Sequence, residues 1–159
     1  MMDYSENYVN LCKELEGCSL VGYADAAGVP TDGYGHTGPE VKVGREITQE
    51  QADANFAADS DAHCAALNRR MDLLGITLSQ DQFDAVLSMV YNLGVDEVLP
   101  EYKQDRPTTF CGALCAGNYA KAAEYMLTFN KITKNGQKVE CRGLTKRRQK
   151  EQALFLKGA

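Results

Sequence analysis

The feature that most limits what this chain can fold into is a glycine-punctuated stretch near its start. Gly22, Gly28, Gly33, Gly35, Gly38 and Gly44 interrupt residues 18–47 every few positions. A helix tolerates such spacing poorly, because each glycine in its interior costs about 1 kcal/mol relative to alanine. The pieces between the glycines carry Tyr23, Val29, Tyr34 and Val41, which suit short strands. The reading is a small antiparallel sheet of tight hairpins, with Gly28 in the turn of one of them.

Both flanks of this stretch read as helix. Ahead of it, Tyr8, Leu11, Cys12, Leu15 and Cys18 recur at three- and four-residue intervals, the period of a helix with one buried face. Ser5 is placed to cap that helix and Gly17 to stop it. Behind it, Thr48 and Gln51 form a capping-box pattern, with Ile47 placed to staple against Ala52. Ala52, Phe56, Ala57, Cys64, Leu67 and Met71 then continue at helical spacing, predicting a long helix over roughly 49–71. Ser79 and Gln82 repeat the box, with Leu78 placed against Phe83. Phe83, Val86, Leu87, Val90 and Leu93 follow as a helix apolar over a wide face, ending at Gly94. Residues 95–108, with Pro100 and Pro107, read as a loop. Two shorter helices are expected at about 109–116 and 119–130, the second capped by Asn118. Asn135-Gly136 reads as a turn, and a last helix over about 145–157 would bury Ala153, Leu154 and Phe155.

The polar residues around the sheet are suited to one kind of chemistry. Glu16 closes the first helix, Asp25 follows nine positions on, and Thr31 six further. Acid-catalysed cleavage of a glycosidic bond needs a carboxylic acid that protonates the leaving oxygen. It also needs a group on the opposite face of the sugar to handle water or a covalent intermediate. A carboxylate in a final helical turn lies at the negative end of the helix dipole, which disfavours its ionised form and suits a proton donor. Asp25 and Thr31 fall on adjacent strands of one hairpin, where alternation of side chains lets both face the same way. On position alone, an ordinary exposed glutamate at a helix end stays open as the alternative.

The order Glu16, Asp25, Thr31, set in Glu16-Gly17 and Gly33-Tyr34-Gly35-His36-Thr37, resembles the phage-type lysozymes, the endolysin muramidases. Tyr91-Asn92-Leu93-Gly94 and the closing Gly143-Leu144, Arg147-Arg148 and Glu151 are similar to that family too, so the likeness runs from about residue 8 to residue 155. It implies an α+β, lysozyme-like fold in a single catalytic domain. A small N-terminal lobe, about 14–60, would be joined by a long helix to a helical lobe of about 61–159 plus the first helix, with a cleft between them. It implies Glu16 as the acid, and Asp25 and Thr31 as the pair that holds the attacking water. That is the inverting arrangement, whose carboxyl groups stand roughly 6.5–9.5 Å apart. It implies His36 in a structural ion pair with Asp59, Arg147 as a partner of the acid, and Tyr91 as a residue that stacks on a sugar or packs in the core. The substrate implied is the β-1,4 bond between N-acetylmuramic acid and N-acetylglucosamine in peptidoglycan, cleaved without cofactor or metal. The chain departs from the usual pattern at Pro30, where an aromatic is common, and at Asp32, where an apolar residue is common. Proline removes a ladder donor, so Pro30 is expected at an edge or bulge. Asp32 either faces solvent or adds an acidic group to the site.

Composition narrows the partners. The net charge of −5 hides an asymmetry: residues 1–61 hold 12 Asp or Glu against 3 Lys or Arg, and residues 121–159 hold 3 against 10. The basic end reads either as a solvated face or as an attractor of an anionic polymer such as wall or membrane surface. Nucleic acid is not expected, because aromatic residues do not interleave with the basic cluster. The start has no basic n-region and no continuous apolar run, and no later segment approaches transmembrane length. The expectation is a monomer made in a host cytoplasm, with no stable membrane insertion. It would reach the wall, in the periplasm, through a holin-type pore. Six cysteines (Cys12, Cys18, Cys64, Cys111, Cys115 and Cys141) suit either free thiols or disulfides formed after release. Cys111 and Cys115 lie one helical turn apart without the paired ligands a zinc site needs.

Two other readings remain open on these residues. A lytic transglycosylase would cut the same bond and leave an anhydro-sugar, but that reaction needs no water-holding pair. A non-catalytic wall-binding module would have no use for the acid.

Overall fold

The computed structural model describes residues 1–159. Its elements run α1 (Glu6–Glu16), β1 (Ser19–Ala24), β2 (Pro30–Gly33), α2 (Gln49–Leu74), α3 (Gln80–Leu93), α4 (Val95–Val98), a 3₁₀ turn (Glu101–Lys103), α5 (Phe110–Cys115), α6 (Tyr119–Met126), β3 (Lys131–Lys134), β4 (Gln137–Glu140) and α7 (Arg142–Lys157). The chain divides into two compact units, Cys12–Ala62 and Met1–Leu11 together with His63–Ala159.

The unit of residues 12–62 is organised on the ribbon β1–β2. The strands pair antiparallel, with Tyr23 opposite Thr31 and Ala24 opposite Pro30, and the register breaks in a bulge between Ser19 and Tyr23. Isolated bridges Val21–Glu46 and Asp32–His36 extend the pairing. The sheet is thus smaller than the glycine spacing suggests: two strands and two bridges. The turn is a three-residue loop in which Gly28, at φ +80°, takes the left-handed position that an L side chain disfavours. Gly22 is required for a different reason: a Cβ there would lie 2.0 Å from the Lys42 carbonyl oxygen, which passes directly over the strand. Asp25 N–H donates to Val29 O at 3.0 Å, so the alternation of the ladder turns the donorless nitrogen of Pro30 away from β1. Cys12, Val41, Ile47, Ala52 and Phe56 supply this unit's buried apolar side chains. At the start of α2, Gln51 N–H donates to Thr48 Oγ1 at 3.1 Å and Thr48 N–H to Gln51 Oε1 at 2.9 Å, a reciprocal capping box.

The other unit is built around α3. Its capping box joins Ser79 and Gln82 at 2.9 and 3.3 Å. Phe83, Val86, Leu87, Met89 and Val90 are fully buried. Each such side chain contributes about 1.5–3 kcal/mol on leaving water, and α3 supplies more of them than any other helix of this unit. Asn118 caps α6 through Lys121 N–H at 3.2 Å. Four features differ from the periodicity reading. Residues 95–108 include α4 and the 3₁₀ turn; α6 ends at Met126; β3–β4 forms a hairpin around Asn135 (φ +51°) and Gly136 (φ +75°); and α7 starts at Arg142. The buried face of α7 is also different: Arg147, Arg148, Glu151 and Phe155 are buried, whereas Ala153 is exposed and Leu154 half-buried. No helix is long and apolar enough to cross a membrane.

Candidate active site

Glu16 is the last residue of α1, and Gly17, in the left-handed region at φ +65°, ends the helix by donating to Lys13 O at 3.0 Å. The final turn is pinned from the side. Lys13 Nζ lies 3.3 Å from Asp53 Oδ1 and sits 5.0 and 5.3 Å from the ring centroids of Tyr34 and Phe56. Gln49 Nε2 donates to both Tyr34 Oη (3.1 Å) and Asp53 Oδ1 (3.0 Å). The bonds from Gln49 and Lys13 hold the Asp53 carboxyl below its usual range. One turn of α1 is thereby fixed against α2 and Tyr34, and that fixes where Glu16 leaves the helix. Its carboxylate lies against Gly35: a Cβ on Gly35 would stand 2.8 Å from Glu16 Oε2.

Asp25 and Thr31 are joined through the backbone of a single residue, Val29. Asp25 Oδ1 accepts from Ala27 N–H and from Val29 N–H, both at 2.8 Å, in the self-capping geometry that aspartate adopts at the head of a turn. Thr31 Oγ1 donates to Val29 O at 2.9 Å. The threonine proton is therefore committed, and its oxygen lone pairs remain to accept a hydrogen bond. One carboxylate oxygen of Asp25 is committed as well, and the other is outside that turn. Two acceptors placed this way are what orients a water whose own lone pair must face a reacting carbon.

His36 fastens the segment that follows. Its Nδ1 lies 2.7 Å from Asp59 Oδ2 on α2, and its Nε2 lies 2.6 Å from Glu40 Oε1. Burial lowers the imidazole's proton affinity, but the bonds to Glu40 and Asp59 outweigh it and raise the pKa above 6.5. His36 in turn holds Glu40's carboxyl below its usual range. Main-chain bonds between Asp32 and His36 in both directions, at 2.9 and 2.8 Å, close the loop that presents Gly35 to Glu16. Asp32 does not face solvent: it is 2% exposed, and its Oδ1 has no hydrogen-bond partner.

Arg147 and Tyr91 belong to the other unit. Arg147 donates from Nε to Glu151 Oε1 and from Nη2 to the Ser88 carbonyl, each at 3.2 Å. Arg148 Nη2 donates to the same carboxylate oxygen at 2.9 Å and to Asn92 Oδ1 at 2.9 Å, and Ser88 Oγ donates to Glu151 Oε1 at 2.8 Å. Burial pushes the Glu151 carboxyl up, against the pull of the two guanidiniums and Ser88. Tyr91 is half-buried on α3, its ring centroid 5.6 Å from that of His63. All six cysteines are free thiols, and burial with the neighbouring Cys115 pushes the Cys111 thiol up to about 12. No group of three or more His, Cys, Asp or Glu side chains is arranged to hold a metal ion.

Of the contributors missed in the sequence, two had a signal. Glu40 stands four residues beyond His36, within reach of its second ring nitrogen. Gly35 is required both by φ +75° and by the closeness of Glu16, and a glycine inside Gly33-Tyr34-Gly35-His36 reads otherwise only as a turn former.

Known proteins of similar sequence and fold identify the family. Residues 13–151 match the family described as Phage lysozyme. An endolysin of Acyrthosiphon pisum secondary endosymbiont phage 1 is 36% identical over 154 residues, covering 97% of this chain and 98% of that protein. The endolysin of Bacillus phage B103 is 35% identical over 162 residues, and there the match covers 99% of this chain but 55% of the relative's length. Among solved structures, an endolysin from Escherichia coli O157:H7 phage FAHEc1 is 35% identical with a TM-score of 0.83, over 99% of this chain and 96% of that one. With the family match spanning most of its length, this chain belongs to the phage lysozyme family, and it is a peptidoglycan-hydrolysing enzyme of the lysozyme type.

Proposed function

We propose that the chain cleaves the β-1,4 bond between N-acetylmuramic acid and N-acetylglucosamine with inversion at the anomeric carbon, and so lyses the host cell at the end of a phage cycle. Glu16 gives its proton to the leaving oxygen, while Asp25 and Thr31 hold the water that attacks from the opposite face. The observation that carries this reading is the Val29 main chain, whose N–H donates to Asp25 and whose carbonyl takes the Thr31 proton. A bound water is thus offered acceptors, as an attacking water requires. His36, with Asp59 and Glu40, keeps the loop of Gly35 in place behind the acid. Arg147 is proposed as the cation that tempers Glu16, and Tyr91 as a sugar contact. The enzyme acts as a monomer, is made in the host cytoplasm, and reaches the periplasmic wall through a holin-type pore.

The test pairs Glu16→Gln with product analysis. The variant is expected to bind purified wall but not clear permeabilised cells. Proton NMR of fresh digests by the native enzyme is expected to show the α-anomer first. First appearance of the β-anomer would refute inversion. Products carrying 1,6-anhydro-muramic acid would replace hydrolysis with transglycosylation. Full clearing by Glu16→Gln would remove the glutamate from the chemistry.

A further inference from the structure

We infer that Tyr23 is a substrate-binding residue, whose ring takes the C–H face of a pyranose in the glycan strand beside the water-holding pair. The inference rests on the functional reading above and extends it to a residue with no assigned role. Tyr23 is the direct cross-strand partner of Thr31. Residues opposite one another in an antiparallel pair project to the same side, with Cβ atoms about 4.5–5.5 Å apart. The phenol ring therefore stands next to the threonine that helps to hold water.

The exposures at this pair are the reverse of what polarity alone would give. Thr31 is 4% exposed and Tyr23 is 43% exposed. An aromatic ring left half in water at this spot needs a reason, and the other tyrosines sharpen the contrast. Tyr34 packs on Phe56 and accepts a bond from Gln49, Tyr4 packs on Tyr8, Tyr91 on His63, and Tyr119 donates to the Thr77 carbonyl at 2.7 Å, while Tyr102, 66% exposed, has Lys103 Nζ and Arg106 Cζ each 5.6 Å from its ring centroid. The Tyr23 side chain makes no hydrogen bond and meets no other ring. It is an unused aromatic surface continuous with the catalytic pair.

A saccharide fits that surface. The axial hydrogens of a pyranose form an apolar, weakly positive face, which matches the negative face of an aromatic ring. Tyrosine offers this area with only two side-chain torsions to restrain. The ring also adjoins Thr31 on the strand face, so a sugar stacked there lies next to the bond that the held water attacks.

The experiment measures binding and turnover separately. Binding of a β-1,4-linked N-acetylglucosamine hexamer is followed by NMR titration in a Glu16→Gln background, and KM and kcat are measured on soluble wall fragments in the otherwise native enzyme. Tyr23→Ala and Tyr23→Leu are expected to raise Kd and KM about tenfold with kcat within about twofold, because the loss is of binding made equally in ground and transition states. Tyr23→Phe is expected to stay near native, since the ring remains. Val43→Ala, at a 61% exposed aliphatic residue of the same unit, is the control and is expected to change neither constant. Tyr23→Leu keeps an apolar cover over Thr31, so a variant that folds stays available even if alanine destabilises the ribbon. A fall in kcat at unchanged Kd would overturn the inference in favour of simple packing over Thr31, as would native Kd in both variants. Failure of the functional reading shows elsewhere: it would appear as hydrolysis retained by Glu16→Gln, whatever Tyr23 does to hexamer binding.

Discussion

Replacing Gly35 by alanine separates two effects that coincide at one atom. The backbone there is left-handed, at φ +75°, a conformation that costs an L residue about 1–2 kcal/mol. For a chain of this size, 1 kcal/mol moves the melting temperature by about 2–4 °C, so a fall of roughly 2–8 °C is expected from strain alone. The added methyl would also stand 2.8 Å from Glu16 Oε2 and 3.6 Å from its carboxyl carbon. To regain ordinary contact, the acid must withdraw by about 0.6 Å. Misplacement of a reacting group by about 1 Å lowers rate by about 10²-fold, so a loss of about 10- to 100-fold in kcat is expected. Gly44→Ala isolates the backbone effect, because Gly44 has φ +84° and nothing within 4 Å of a Cβ. Both variants are melted, and both are assayed on soluble wall fragments at a temperature where each is fully folded. If Gly35→Ala keeps a kcat within twofold of Gly44→Ala, the contact with Glu16 does not govern the acid and the reasoning fails.

Three further outcomes follow from the same geometry. His36 has its pKa raised above 6.5, so its bonds to Asp59 and Glu40 contribute fully below that value and fade as pH rises through the folded-state pKa. The native protein should therefore exceed His36→Gln by about 1 kcal/mol at pH 6 and by less at pH 9, and a gap that widens with pH in denaturant titrations would contradict this. Thr31→Val keeps the shape but removes the oxygen proposed to hold the water, and kcat/KM is expected to fall about 10²-fold while Thr31→Ser keeps most activity. Equal activity in the valine variant would take the hydroxyl out of the water site. Glu151→Gln leaves Arg147 and Arg148 buried beside a neutral group and is expected to lower stability by about 3–5 kcal/mol, read from the denaturant midpoint; a loss below about 1 kcal/mol would show that the cluster does not depend on the carboxylate.

What could be read from the residues was what depends on near neighbours. Thr48 with Gln51, and Ser79 with Gln82, announce helix starts because the bonds that make them span three residues. The core face of α3 was legible because Phe83, Val86, Leu87 and Val90 are apolar at helical spacing. The hairpin β3–β4 was visible only as its turn. All eight strand residues are exposed, so no alternation of apolar and polar side chains marks them. The buried face of α7 was hidden because charged residues fill it: Arg148 and Glu151 are fully buried through bonds to each other and to Ser88 and Asn92, which are distant in sequence. In the site, the order of Glu16, Asp25 and Thr31 was readable. The Val29 main chain that joins the last two was not, because its role depends on which way the Asp25 side chain turns. The burial of Asp32 also needed the structure, since its two readings differ only in which side of β2 is covered.

Fastening two side chains to the main chain of residue 29, rather than to another side chain, has an evolutionary consequence. Any amino acid with a backbone N–H can occupy that position and make both bonds. Drift in composition at 26, 27 and 29 is consequently cheap, whereas Gly28 is held by its positive φ. Drift in length is not: one residue inserted or deleted between 25 and 31 would break the shared connection and uncouple the aspartate from the threonine. Among descendants of this enzyme, the rim of the hairpin is free to change its chemistry toward different cell walls, while the count of residues across it stays fixed.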